Sequence, residues 1–127
     1  MEKRFYLGVA ILAALLAISI GTAIVMTFIH QAVAQDLQDA AQLALENNLE
    51  EALPLANGAY DRWEKYHAVT ASFADHSPMD DTDTLFQEML VYGKTGEVPH
   101  FAACCRELAV MAEAMYDAHV FSLKNLL

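Results

Sequence analysis

FYLGVAILAALLAISIGTAIVMTFI, Phe5 to Ile29, decides how the rest of the chain is read, because roughly 25 residues pass without one charged side chain. An α-helix rises about 1.5 Å per residue, so about 20 apolar residues cross a hydrocarbon core about 30 Å thick. The stretch exceeds that length and leaves room for tilt. Its hydroxyls, on Ser19, Thr22 and Thr27, can return to backbone carbonyls of the same helix. The pattern predicts a transmembrane helix over residues 5–29. Ala13, Ala17 and Gly21 form a small-xxx-small ladder within it, but alanine is common enough in such segments for chance to supply one.

The flanks give a direction. Lys3, Arg4 and the terminal amine precede the span, and no Lys or Arg follows it until Arg62. The positive-inside rule then places residues 1–4 in the cytoplasm and residues 30–127 outside the cytoplasmic membrane. A cleaved signal peptide is the rival, since Ala32-Val33-Ala34 before Gln35 has the form of a cleavage site. Signal h-regions run only about 7–15 residues, however. Val33, Leu37, Ala40/Ala41 and Ala44 also carry helical spacing straight through the supposed cut. The anchor is expected to stay.

Beyond the span about 98 residues remain, enough for one small domain. Sixteen of the seventeen acidic residues lie there against five of the seven basic ones, a charge of about −11. Such a domain repels nucleic acid. It also repels anionic head groups, so charge alone would not draw it to a membrane. The expected partners are the bilayer, through the N-terminal helix, and another envelope or membrane protein.

The domain reads as all-α, a small antiparallel bundle completing about four helices with the anchor. The first helix is expected to run out of the membrane to about Asn47. Asn48 and Glu51 have capping-box spacing for the second, whose face carries Leu49, Leu53, Ala56, Tyr60, Trp63, His67, Thr70 and Phe73. Pro54 and Asn57-Gly58 predict a kink there. Ser77, Pro78 and Asp80 form a start signal for the third helix, which presents Leu85/Phe86 and Met89/Leu90 and ends near Gly93. Gly93-Lys94-Thr95-Gly96 reads as a loop. The fourth helix spans about Pro99 to Ala118, with Phe101, Cys104/Cys105, Leu108, Met111/Ala112 and Met115 as its stripe. The apolar residues from Phe121 onward are expected to pack back onto the bundle, or onto something else.

Chemistry-bearing patterns are sparse. Adjacent Cys104 and Cys105 lie about 3.8 Å apart at Cα, too close for an unstrained mutual disulfide; a bridge to another chain is permitted, but two small apolar residues in a helix is the simpler reading. No CxxC, HExxH, GxSxG or phosphate-loop pattern implies a cofactor or a catalytic centre, so no enzyme is expected. Asp75, His76, Asp80 and Asp83 form the one polar cluster to test. Imidazole and carboxylates at His76, Asp80 and Asp83 suit a divalent metal, whereas capping of a helix start explains the same residues without one. Trp63, Asp75, His76 and off-stripe Val110 are the candidate interaction residues.

Several segments resemble the small bacterial membrane-anchored proteins grouped as domain of unknown function 4363. They are the basic start and span, Leu49-Glu50-Glu51-Ala52-Leu53, Trp63-Glu64-Lys65-Tyr66, Phe73-Ala74-Asp75-His76 with Asp80 and Asp83, and Ser122-Leu123-Lys124-Asn125-Leu126-Leu127. Pro54 and Gly58 depart from the family's unbroken, charged second helix. The resemblance implies a single-pass protein with a helical domain, no assigned activity and a membrane partner. Together these readings lead to a non-enzymatic interaction or scaffold module, with a metal- or pH-responsive sensor centred on His76, Asp80 and Asp83 as the alternative.

Overall fold

The computed structural model describes residues 2–70 and 77–126, the side chains of 67, 69, 70, 77–80, 119, 122, 123 and 126 excepted. Helix α1 runs Glu2–Leu45, α2 Leu49–Thr70, α3 Ser77–Thr95 and α4 Val98–Leu126. Among the described residues there is no strand, and the protein is all-α. Each helix packs on its neighbours in the cycle α1–α2–α3–α4–α1, giving an up-down-up-down bundle.

With 44 residues, α1 is about 66 Å long and does two jobs. Its first half is long and apolar enough to cross a membrane, and nothing in the bundle covers it. From Met26 onward one stripe turns inward: Met26, His30, Val33, Ala34, Leu37, Ala40, Ala41 and Ala44 are buried. The helix ends in a Schellman motif. Asn47 adopts φ 63°, which asparagine tolerates, and the Asn48 and Asn47 amides donate to the Leu43 and Ala44 carbonyls at 2.9 and 3.2 Å. The Asn48 carbonyl then accepts from the Ala52 amide at 3.1 Å, opening α2 as an N-cap residue does.

Small side chains fill the space where α1 meets its flanking helices. Ala40, Ala41, Ala44, Ala52, Ala56 and Ala59 are all completely buried. The seam between α2 and α3 is filled differently, by rings. Tyr60 packs on Phe86 at 5.5 Å, Phe86 on Trp63 at 6.1 Å, Trp63 on Tyr66 at 5.4 Å, and Tyr66 edge-on to His30 at 4.4 Å. This chain of rings crosses the core from α3 to α1. Burial raises the Tyr66 hydroxyl above its usual range.

Three expectations need correction, and one holds. The buried stripe of α2 is Ala52, Ala56, Ala59, Trp63 and Tyr66, rotated so that Leu49, Leu53 and Tyr60 are half-buried at its edge. Alanine made the true stripe faint in the sequence. As expected, α2 continues through Pro54 and Gly58 as one helix rather than two pieces. Second, α3 continues through Gly93, which is a packing position: a Cβ there would lie 2.7 Å from Leu53 Cδ2 and 3.3 Å from the Phe101 ring. The turn itself is made by Gly96 at φ 75°, with the Glu97 amide donating to the Tyr92 carbonyl at 3.0 Å. Last, the described residues after Ala118 do not fold back onto the bundle, which leaves the other reading, packing onto something else, open. They extend α4 to Leu126, with Phe121 exposed.

Candidate functional site

The polar cluster read at the α2–α3 junction is only partly brought together. Asp75 and His76 lie outside the described residues, as does the side chain of Asp80. Asp83, on the first turns of α3, accepts a 2.6 Å hydrogen bond from Nε1 of Trp63. That bond explains both residues. A buried indole N–H must find an acceptor, and a carboxylate is a strong one. Trp63 is 2% exposed, so its ring belongs to the core and presents no surface to a partner. Among the described residues no three His, Cys, Asp or Glu side chains gather as a metal would require.

Nor do the cysteines offer a reactive centre. Both are free and buried in the α4 stripe. Burial first, and the neighbouring Cys104 second, push the Cys105 thiol up from its ordinary 9.0 to about 12. Burial, then Glu88 and Glu107, raise Cys104 as well. Thiolate, the nucleophilic form, is therefore suppressed at both.

Val110 stands differently. It is 64% exposed on α4 and lines a groove of about 450 Å³ with Gln38, Gln42, Arg106 and Ala109. A second hollow continues it along the same α1/α4 seam, lined by Gln31, Ala34, Gln35, Gln38, Glu113, Tyr116 and Asp117. Gln38 Nε2 donates to Glu113 Oε1 between the two. Amides, a guanidinium, carboxylates, a phenol and three apolar side chains, of which Val110 is the largest, thus line an open trough. Such a lining can hydrogen-bond an extended or helical partner, and it contains no nucleophile aligned with a base.

Sequence reasoning picked out Val110 and missed its companions. Their signal was present: Gln31, Gln35, Gln38 and Gln42 recur at four-, three- and four-residue steps, an amide stripe beside the apolar stripe of α1. Compared with known proteins, the chain matches no family model, no curated protein and no solved structure. Its function therefore has to be argued from the site.

Proposed function

We propose that this chain is a non-enzymatic, single-pass membrane module whose helical bundle binds or positions another membrane or envelope protein through the α1/α4 trough. One observation supports it above the others: the exposed apolar half of α1 and the buried half are a single unbroken helix. A bundle sharing its central helix with an anchor is held at a fixed height and angle over the bilayer, the arrangement a positioning module requires. Cleavage after Ala34 would strip Met26, His30, Val33 and Ala34 from the core, which favours a retained anchor. Lys3 and Arg4 favour an N-terminus inside and a bundle outside. Kinship with the domain of unknown function 4363 proteins belongs to the same proposal.

A photo-crosslinking residue at Val110 in intact membranes tests it. A discrete adduct to another membrane protein is expected there, and none from the exposed Val91 on α3, away from the trough. Absence of any adduct at Val110, or equal adducts at both positions, overturns the reading. Protease added to spheroplasts tests the orientation separately; a bundle left intact in closed cells and cut only after lysis reverses it.

A further inference from the structure

Where α1 leaves its exposed apolar stretch, a slot of about 370 Å³ opens between Val25, Phe28, Ile29 and Ala32 of α1 and Arg62 and Lys65 of α2. Its floor is continuous with the anchor, for Val25 is 55% and Phe28 65% exposed. Its rim is cationic. We infer that this slot is a binding site for one anionic phospholipid of the leaflet beside the bundle, the phosphate held by Arg62 and Lys65, the glycerol esters against Phe28 and Ile29 and the top of the acyl chains on Val25. The inference rests on the proposed anchoring of α1, and holds for either orientation.

Height comes first. Phe5 to Val25 as a helix spans about 30 Å, the thickness of the hydrocarbon core. Residues 26–29 then pass through the head-group layer, about 6 Å deep on each side, and Ala32 stands just above it. Arg62 and Lys65 lie beside that segment. Polarity comes second. Asp36 stands one turn beyond Ala32 on α1, and Asp61 one turn before Lys65 on α2, both farther from the bilayer in this antiparallel pair. The slot is therefore lined by bases alone: Asp36 and Asp61 stand behind them, and Glu64, between Arg62 and Lys65 in sequence, lies against the Tyr60 hydroxyl instead. Arg62 Nη1 donates to Asp36, which orients the guanidinium and leaves its other N–H groups for a phosphate oxygen. Lys65 offers a second, more mobile cation.

Distribution comes third. The domain carries a charge of about −11, which would push anionic lipid away if evenly spread. Three of its five basic residues, Arg62, Lys65 and Lys124, lie at the anchor end among acids that include Asp61, Glu64, Asp83 and Asp117, but the lining of the slot itself carries two bases and no acid. Lys124 falls there because α4 runs antiparallel to α1, as the Gln38–Glu113 bond and the hollow joining Gln31 to Asp117 show. That register sets exposed Phe121 level with about residue 30, an aromatic ring at interface height on a second helix. A zwitterionic lipid has the same phosphate but brings its own cation against Arg62 and Lys65, so the slot discriminates in favour of net-anionic head groups.

The test uses the full chain in nanodiscs of phosphatidylcholine doped with spin-labelled phosphatidylglycerol or spin-labelled phosphatidylcholine. The motionally restricted fraction should favour phosphatidylglycerol by about five-fold or more, the effect of one basic side chain near an anionic surface. Lys65→Gln, which leaves the Arg62–Asp36 pair intact, should reduce the preference, and Arg62→Gln with Lys65→Gln should abolish it. Lys94→Gln, at the far end of α3, should leave it unchanged. Helicity measured on each sample shows whether the bundle is folded. Equal restriction of both lipids, or a preference that survives the double variant in a folded bundle, overturns the lipid site. A chain that does not enter nanodiscs at all overturns the anchor instead.

Discussion

Between Phe5 and Val25 α1 shows apolar side chains on every side, Leu12 at 68% and Ile18 at 65% exposed, whereas from Met26 the same helix hides one stripe and keeps amides and acids on the other. Backbone geometry does not change at the boundary; the solvent for the side chains does. In the first half the bilayer of the proposed function would solvate all faces alike, so composition matters and order hardly does. In the second half protein covers one face, so position is decisive: Leu37 is fully buried while Gln38, its neighbour in sequence, hydrogen-bonds on the surface. One helix can therefore be insensitive to shuffling over half its length and intolerant of it over the other half.

The sharpest break of that comparison is a pair of substitutions with opposite readouts. Trp63→Ala removes the largest buried side chain and leaves the Asp83 carboxylate without its indole donor. It should cost the bundle about 3–5 kcal/mol in urea unfolding followed by circular dichroism, and leave membrane partition alone. Leu15→Arg should do the reverse: insertion weakened by about 2.5–3.5 kcal/mol, read as soluble protein after cell breakage, with bundle stability unmoved. Ala41→Leu comes next, adding bulk at a completely buried position on α1, and should destabilise by about 1–3 kcal/mol. The same change at the exposed Ala10 should fall within about 0.5 kcal/mol.

The smallest effect, nil at neutral pH, is alkaline. Burial raises Cys105 from 9.0 to about 12, and raises Tyr66 and Cys104 too, so the folded chain keeps these protons to higher pH than the unfolded chain does. Their contribution is complete below the unfolded values and is lost as pH climbs through the folded ones. Unfolding free energy should fall from about pH 9 toward pH 12, and Cys105→Ala should flatten the fall. An identical slope in that variant would remove Cys105 as its cause.

Much of the helical layout was legible in the residues, because long apolar runs, asparagines at turns and three-four spacing act locally. The stripe of α1 beyond Val33 and the core positions of α4 followed from periodicity alone. Where sequence reasoning slipped, a neighbour decided the outcome. Gly93 resembles a helix stop until Leu53 and the Phe101 ring are seen to need its missing side chain. Ala52 and Ala59 read as neutral residues until close approach to α1 makes them core. Of the candidate site, Val110 stood out as apolar and off-stripe, while Arg106 and the glutamine ladder gained meaning only when α4 was laid beside α1.

By itself the sequence determined that the chain is all-α and that its first segment is long and greasy enough for a bilayer, since hydrophobic length and backbone propensity are properties of a segment alone. Tertiary structure decided that anchor and bundle share one helix, that Trp63 and Asp83 answer each other, and that Arg62 and Lys65 meet the apolar floor of α1. Those facts depend on which surfaces of distant segments come into van der Waals reach, and no single segment carries that information.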